Sequence, residues 1–386
     1  MEVYLDNGAT TKPREEVIDI MIKSMEEYYG NPSSLHSKGV EIERLVKKAR
    51  RQVAKALGAN EGEIYFTSGG TESNNLAILG ALEGNKRKGK HIITTRIEHP
   101  SVLHVFKELE EQGYDVSYLR VDGNGLIDID EFQKVLRDDT VLISIMYVNN
   151  EVGTIEPISE ICNIIKNRKN RPLFHVDAIQ AFGKVSFSLK RLKVDIMSIS
   201  GHKIHGPKGI GALFVRKGTK IKSIIFGGNQ ELGLRSGTEN VPGILGLGVA
   251  AELVKNELDL NINSMKNLKA KLLQGIKNNL EDIKLNGAIG EGSAPHILNI
   301  SFKGIRGEVL LHTLEQEGIY VSTGSACSSK KKSFSHVLKE MKLTNEEVEG
   351  AIRLSFSPQN TVEEIEYTID KLCSTVKDLR KVIGRR

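Results

Sequence analysis

Residues 63–82 read EIYFTSGGTESNNLAILGAL, a short β-rich run followed by two glycines and then by apolar residues at helical spacing. This pattern predicts a strand at 63–67 and a helix at 71–82. The same alternation predicts further strands at 91–95, 116–121, 141–148, 173–176, 194–198 and 211–215, and further helices at 101–111, 129–136 and 158–166. Several strands are nearly continuous apolar runs, which is typical of a sheet covered on both faces. The sequence therefore predicts an α/β domain with a mostly parallel seven-stranded sheet.

The last third of the chain has a different pattern. Residues 245–279 are charge-rich with helical spacing, and they predict one long helix that leads away from the sheet. Beyond it, strands are predicted at 297–302 and 351–355, and a helix is predicted after Pro358 with Thr361 at its first turn. We therefore expect a large domain at 14–260 and a smaller α+β domain formed by 1–13 and 261–386.

Composition excludes several classes of protein. The chain has 386 residues, and 54 Lys+Arg against 49 Asp+Glu leave a formal net charge of only +5, which does not indicate a nucleic-acid or membrane partner. Trp is absent, which argues against a stacking platform for single-stranded bases. The N-terminus, MEVYLDNGATT, does not resemble a secretory signal, and no apolar stretch is long enough to cross a bilayer. The three cysteines do not suit a disulfide framework, so a reducing, cytoplasmic setting is expected.

Two short motifs resemble metal sites but lack an essential residue. Residues 120–131 align with a calcium loop on Gly125, but Arg120 stands where a carboxylate must bind the ion. A turn that enters a helix is the better interpretation. His202 and His205 lack the glutamate of a zinc-protease helix. We expect no resident metal.

Three segments, in chain order, carry residues with cofactor chemistry. Residues 68–75 follow a strand and open a helix, where backbone N–H groups favour a phosphate, although a glycine turn capped by Thr71 is the alternative. Asp177 lies at the expected end of a strand, where it could pair with a protonated ring nitrogen or cap a turn. Lys203, framed by glycine, histidine and proline at 198–209, suits a Schiff base with a carbonyl cofactor. Together the three segments indicate a pyridoxal phosphate site.

The sequence resembles the cysteine desulfurases, the NifS/IscS-like branch of the class V aminotransferases. The resemblance extends from YLDNGATT at 4–11 to IRLSFSP at 352–358, and includes, in family order, NPSSLHSKG, SGGTESNN, EHPSV, VNNEVGTI, HVDAIQ, SGHKIHGPKG, RSGTENV and GSACSS. It implies the fold type I of pyridoxal-phosphate enzymes and a homodimer.

The resemblance also implies which residues bind the cofactor phosphate. These are Gly70, Thr71, Ser200 and His202, together with Thr238 from the other subunit. Gly70 stands where many relatives have alanine, and this small difference is expected to be tolerated.

Other matching residues would contact the cofactor ring and the substrate. His99 would stack on the ring and shuttle a proton, Asp177 would pair with the ring nitrogen, and Gln180 would bond the phenolic oxygen. Asn150 would contact both cofactor and substrate, and Arg353 would bind the substrate carboxylate.

The cysteines divide into two kinds. Cys162 and Cys373 lie at helical spacing among apolar residues, and they are expected to be inert core thiols. Cys327 lies in the small-residue segment STGSACSS at 322–329, directly before the lysines at 330–332, whose charge would favour its thiolate. The resemblance makes Cys327 the nucleophile that takes sulfur as a persulfide, and also a transient ligand of an iron–sulfur cluster during transfer. It makes Lys203 the residue that bonds covalently to the cofactor and removes the Cα proton.

The prediction is a pyridoxal 5'-phosphate-dependent cysteine desulfurase that converts L-cysteine to L-alanine. Sulfur on Cys327 would pass to an iron–sulfur scaffold or to another sulfur-acceptor protein. A selenocysteine lyase or another class V aminotransferase-type enzyme is the alternative with the same cofactor. A non-catalytic docking partner in iron–sulfur assembly is the alternative outside the enzymes, and the presence of Lys203 and Cys327 weighs against it.

Overall fold

The structure is a computed structural model that describes residues 1–323 and 334–383. Its strands are β1 Val3–Tyr4, β2 Ile64–Thr67, β3 His91–Thr95, β4 Asp115–Leu119, β5 Thr140–Met146, β6 Leu173–Asp177, β7 Ile196–Ser200, β8 Gly211–Val215, β9 Ile283–Asn286, β10 Ile297–Phe302, β11 Ile319–Tyr320 and β12 Ala351–Ser355. Its α-helices are α1 Glu15–Glu26, α2 Ser37–Leu57, α3 Gly70–Gly84, α4 Pro100–Glu111, α5 Ile129–Val135, α6 Ile158–Ile165, α7 Val241–Asn256, α8 Leu258–Asn279, α9 Gly307–Gln316, α10 His336–Glu340, α11 Asn345–Glu349 and α12 Val362–Ile383.

The central sheet contains all seven strands predicted in the first two-thirds of the chain. Their order is β2-β8-β7-β6-β5-β3-β4. The five strands from β3 to β7 pair in parallel, whereas β8 runs antiparallel to both β7 and β2. The prediction of a mostly parallel seven-stranded sheet is confirmed.

Helices cover both faces of this sheet, because neighbouring strand residues belong to different apolar clusters. Ile92 packs in a cluster with residues of α3 and α4, whereas Ile93 packs in a cluster with residues of α2, α6 and α7. Leu142 and Ile143 of β5 divide between the two clusters in the same way. Since side chains alternate across a strand, a sheet covered on both faces requires the apolar runs seen in the sequence.

One edge of the sheet collects the carboxyl ends of several strands. β5 ends at Met146, β6 at Asp177 and β7 at Ser200. β2 is antiparallel to β8, so it also points its carboxyl end to this edge, where Gly69 leads into α3. Open α/β sheets bind ligands outside such an edge.

A third apolar cluster surrounds a smaller antiparallel sheet of order β12-β10-β9. Residues of α8, α9 and α12 pack there, and Val3 and Leu5 join them from the N-terminal segment. β1 pairs with β11 in parallel. On this basis we propose the division into a large domain at 14–260 and a small domain formed by 1–13 and 261–386. Along the described chain, no helix combines the length and the apolar character needed to cross a membrane.

The prediction of one long helix at 245–279 is wrong, because the chain there forms two helices. Glu257 separates α7 from α8 with φ −103° and ψ 6°. Its carboxylate accepts two hydrogen bonds from Arg14, at 3.0 and 3.2 Å. These bonds connect the break between the two helices to the segment before α1. α7 is buried against α1 and α2, whereas α8 packs in the third cluster, around the smaller sheet, so the two helices have different partners.

Candidate active site

A cavity of about 300 Å³ lies at the carboxyl edge of the sheet. It brings together most of the residues selected from the sequence. Those that line it are Gly70, Thr71, His99, Asn150, Asp177, Gln180, Ser200, His202, Lys203 and Arg353. Two predicted residues are not among them. Thr238 is exposed elsewhere on the surface, and Cys327 lies outside the described residues.

Lys203 lies in a short 3₁₀ turn, Gly201–Lys203, that directly follows β7. Its Nζ donates hydrogen bonds to the backbone carbonyl oxygens of Gly8, at 2.7 Å, and Ala9, at 2.6 Å. These carbonyls belong to the N-terminal segment, almost two hundred positions earlier in the chain. The fold thus holds the amine at the cavity with groups that can only accept hydrogen bonds.

Asp177 is the last residue of β6 and is 5% exposed. Its Oδ2 accepts a hydrogen bond from Asn74 Nδ2 at 2.8 Å, and its Oδ1 accepts one from the backbone N–H of Ile179 at 3.0 Å. Burial raises the pKa of the Asp177 carboxyl. A cationic group in the cavity would offset this desolvation, so the carboxylate is suited to pair with a protonated ring nitrogen.

Asn74 orients the Asp177 carboxylate, and no role was predicted for it from the sequence. It is fully buried on α3 and also donates to Ser101 Oγ at 2.9 Å, so it joins Asp177 to the start of α4. A role for Asn74 could have been predicted from its position, three residues after Thr71 on the helix that follows the two glycines.

His99 caps the N-terminus of α4. Its Nδ1 accepts a hydrogen bond from the backbone N–H of Ser101 at 3.2 Å and lies 2.8 Å from Ser101 Oγ. Since Nδ1 is an acceptor there, the proton of the neutral ring is on Nε2. Burial is the largest cause of a lowered pKa for His99, so the imidazole is neutral at physiological pH. A neutral ring with a fixed tautomer can both stack and transfer a proton.

The start of α3 and the end of β7 together form a cradle for an anion. Gly69 has φ 152°, which side-chain-bearing residues rarely adopt, and α3 has no side-chain cap on its first turn. Its first N–H groups are therefore available to an anion. Ser200 Oγ is buried and has no hydrogen-bond partner among residues 1–323 and 334–383. An orphaned hydroxyl beside a helix N-terminus fits a phosphate group.

His202 completes this cradle as a neutral donor. Its Nδ1 lies 3.3 Å from Thr10 Oγ1. Burial, together with the charge of Lys203, lowers the pKa of His202 to about 4. Its ring is therefore uncharged at neutral pH.

Gly70 is in close contact with the cavity wall. A Cβ added to Gly70 would lie only 2.3 Å from Cδ1 of Ile179. Ile179 also lines the cavity, so this Cβ would require the terminal methyl group of a cavity-lining side chain to shift. The Ile179 side chain therefore occupies the space that a Cβ on residue 70 would need.

We expect Gly70→Ala to raise the dissociation constant for pyridoxal phosphate about tenfold, the usual scale of overpacking in a tight site. Removing the obstruction in the double variant Gly70→Ala/Ile179→Ala should recover most of the affinity. Gly62→Ala is the matched control, since a Cβ there meets nothing within 4 Å. Wild-type affinity of the single variant, measured by titration of the cofactor-free protein, would contradict the argument.

Arg353 lies on β12 and is 3% exposed. Its Nη2 donates to Asp6 Oδ1 at 2.8 Å, and its Nη1 donates to the backbone carbonyl of Asn150 at 2.9 Å. Its buried Nε has no hydrogen-bond partner within the described part of the chain. The guanidinium is thus anchored on one side and keeps donors for an anion such as a carboxylate. Asp6 belongs to the N-terminal motif at 4–11, and no sequence pattern predicts its ion pair with Arg353.

Cys162 and Cys373 are buried thiols, as predicted. Burial raises the pKa of Cys162 to about 11 and also raises that of Cys373. Both are therefore protonated at neutral pH and are poor nucleophiles.

Comparisons with known proteins agree with the fold. The family model Aminotransferase class-V matches residues 3–368. The chain is 47% identical over 380 residues to the cysteine desulfurase IscS of Methanosarcina thermophila, covering 98% of this chain and 93% of that protein. It is 47% identical over 378 residues to a cysteine desulfurase of Trichormus azollae, covering 98% and 94%.

Solved structures of NifS-like proteins resemble this chain in fold. A NifS-like protein superposes with a TM-score of 0.92 at 42% identity, covering 98% of this chain and 100% of that one. A NifS-like protein from Rickettsia africae superposes with a TM-score of 0.86 at 32% identity, with the same coverage. The expected fold type I is confirmed by these likenesses. The chain therefore belongs to the class V aminotransferases and, within them, to the cysteine desulfurase family.

Proposed function

We propose that the protein binds pyridoxal 5'-phosphate in the cavity, converts L-cysteine to L-alanine, and keeps the sulfur on Cys327 as a persulfide. One observation carries this proposal. A single cavity is lined by an amine, a buried carboxyl, a neutral imidazole and an anchored guanidinium, from Lys203, Asp177, His99 and Arg353. These are the groups required to bind an amino acid on a cofactor ring and to move its α-proton.

The residues present fit this cofactor. The cradle of Gly70, Thr71, Ser200 and His202 suits its phosphate, and the orphaned Ser200 hydroxyl supports this assignment. Asp177 would hold the ring nitrogen in its protonated form. When bound, the cofactor supplies an aromatic ring that accepts the electrons released at the substrate Cα.

His99 and Gln180 would contact the ring itself. His99 would lie against its face, and Gln180 would direct its amide towards the phenolic oxygen. Both residues are held by hydrogen bonds to the protein, His99 through Ser101 and Gln180 through Gly8.

The remaining steps use the chain's own groups. Arg353 would bind the substrate carboxylate, and Asn150, whose carbonyl is already bonded to Arg353, would lie beside it. The Lys203 amine would remove the Cα proton, since the carbonyls of Gly8 and Ala9 hold it at the cavity. His99 would pass a proton through Nε2 during departure of the sulfur.

Chain connectivity supports Cys327 as the thiol that receives the sulfur. Ser322 exchanges backbone hydrogen bonds with Arg353, at 2.7 and 3.1 Å. Cys327 follows Ser322 by five residues in the sequence, and five residues of fully extended chain span at most about 18 Å. Attack by its thiolate on the substrate sulfur breaks the Cβ–S bond and forms an S–S bond. The products are alanine and a Cys327 persulfide, with no other oxidant or reductant.

We also propose a homodimer in which Thr238 reaches the phosphate bound by the other subunit. Thr238 is exposed and does not line this chain's own cavity. Two large apolar side chains of the same region are also exposed, Phe226 at 86% and Leu232 at 75%. Such exposure is typical of a surface that another protein covers.

Light scattering of the purified protein should give twice the chain mass, and a monomer that turns over at full rate would contradict the assignment.

The function is tested by incubating the cofactor-loaded protein with L-cysteine and a thiol reductant, then measuring alanine and sulfide in equal amounts. A parallel reaction with L-selenocysteine asks whether the enzyme prefers selenium, as a selenocysteine lyase would. We propose an iron–sulfur scaffold or another sulfur-acceptor protein as the recipient. Transfer of labelled sulfur to such an acceptor would identify it, and a protein that binds cysteine without forming alanine would refute the proposal.

Replacing Arg353 with lysine is expected to raise KM for cysteine about 10- to 100-fold with a smaller effect on kcat. Lysine keeps the charge but loses the fork of donors that binds a carboxylate in two places. Arg216→Lys is the matched control, because Arg216 bonds only to backbone carbonyls of residues 189–194 in the part of the chain described here. An unchanged KM in Arg353→Lys would mean that the substrate carboxylate is bound elsewhere.

A further inference from the structure

A buried polar network lies behind Gln180, on the side away from the cavity. Gln180 Nε2 donates to the backbone carbonyl of Gly8 at 2.9 Å. Gln180 Oε1 lies 3.2 Å from His296 Nε2 and 3.5 Å from Lys184 Nζ. His296 is fully buried and Lys184 is 5% exposed.

The Gly8 carbonyl identifies which amide atom of Gln180 faces it. A carbonyl can only accept, so the amide atom facing it is Nε2 and the atom facing the network is Oε1. His296 and Lys184 therefore act as N–H donors. Burial strongly lowers the pKa of both, so His296 is neutral with its proton on Nε2. Its Nδ1 has no partner among the described residues, which agrees with this tautomer.

The two donors matter because they are the partners that the structure gives to Gln180 Oε1. Without His296 and Lys184, Oε1 would be a buried acceptor with no donor among the described residues. Such an amide turns in search of another donor, and a turn would move Nε2 away from the cavity.

We propose that His296 and Lys184 are positioning residues that hold the Gln180 amide with Nε2 towards the cavity, where its second N–H donates to the phenolic oxygen of the cofactor. Neither residue lines the cavity. Both act through Gln180, one from the segment before β10 and the other from the segment after β6. The inference rests on the proposed function, because it requires pyridoxal phosphate in the cavity.

The test uses the visible absorbance of the cofactor-loaded enzyme as a function of pH, without substrate. A hydrogen bond to the phenolic oxygen withdraws negative charge from it, which lowers the proton affinity of the nitrogen shared by Lys203 and the cofactor. Losing that bond should raise the pH midpoint of the spectral change. Other titratable or charged groups around this nitrogen are unchanged in the variants: Asp177, His99, His202 and Arg353.

His296→Leu is expected to raise the midpoint by about one pH unit, in the same direction as Gln180→Ala. In the Gln180→Ala background, the added His296→Leu change should have no further effect, because the residue acts only through the amide. His296→Gln, which keeps a donor, should restore the wild-type midpoint. Lys184→Met is the second variant if His296→Leu does not fold. Because Lys184 also interacts electrostatically with Lys203, its shift supports the inference only where it disappears in the Gln180→Ala background.

His91→Leu is the control for loss of a buried histidine. His91 is fully buried and bonded to Thr140 and Ser117, and it should leave the midpoint unchanged. A wild-type midpoint in folded His296→Leu or Lys184→Met, or an additive shift in the Gln180→Ala background, would overturn the inference. Absence of any visible band in the wild-type protein would instead refute the proposed cofactor.

Discussion

Replacing Lys203 with alanine is expected to lower alanine formation from cysteine by at least about 10³-fold. The change removes the amine that would bond to the cofactor and would also serve as the base for the Cα proton. Its Nζ is held between the carbonyls of Gly8 and Ala9, and no alanine can reach that position. The visible absorbance of the covalently bound cofactor should disappear together with the activity.

Two further variants separate this chemistry from general damage. Lys203→Arg keeps a cation in the cavity but cannot form the covalent bond, so it should be as inactive as the alanine variant. Lys190→Ala, at an exposed lysine, should behave as wild type. A Lys203→Ala enzyme that retains a tenth of the wild-type rate would remove Lys203 from the mechanism.

Cys327→Ser is expected to reduce sulfur release from cysteine by a similar factor of at least about 10³, because a hydroxyl cannot form a persulfide. Cofactor binding and its visible spectrum should be unchanged, since none of the described residues that line the cavity is a cysteine. Mass spectrometry of the cysteine-treated wild-type protein should find the added sulfur atom on the peptide that contains Cys327.

Cys162→Ala and Cys373→Ala are the matched controls. Both thiols are buried with raised pKa values, so neither is a nucleophile at neutral pH, and both variants should keep the wild-type rate per folded molecule. Added sulfur on either of these thiols, or full turnover in Cys327→Ser, would contradict the assignment.

Most of the fold could be predicted from local patterns in the sequence. The runs that became β3 and β5 were predicted because residues such as Ile92 and Ile93 are both apolar, and both are buried, one on each face of the sheet. Asp177 and Lys203 were found because one ends a strand, the other lies just after a strand, and each belongs to a distinctive short segment. Short-range signals of this kind place residues at one edge of a parallel sheet without knowledge of tertiary contacts.

Contacts between distant parts of the chain could not be predicted in the same way. Nothing near Arg353 in sequence indicates its ion pair with Asp6, which lies 347 positions away. The tight fit between Gly70 and Ile179 is likewise visible only when α3 meets the end of β6. The helix prediction at 245–279 was wrong because helical spacing does not reveal that its two halves pack against different clusters.

The first eleven residues connect the two parts of the molecule through the active site. Leu5 packs in the cluster of the smaller sheet, whereas Thr11 is bonded to the His202 carbonyl and to the His205 N–H in the larger one. Between them lie Gly8 and Ala9, whose carbonyls hold the Lys203 amine. The backbone that joins the two clusters therefore also accepts the hydrogen bonds of the Lys203 amine, so a displacement of one cluster against the other would change the hydrogen bonding of Lys203.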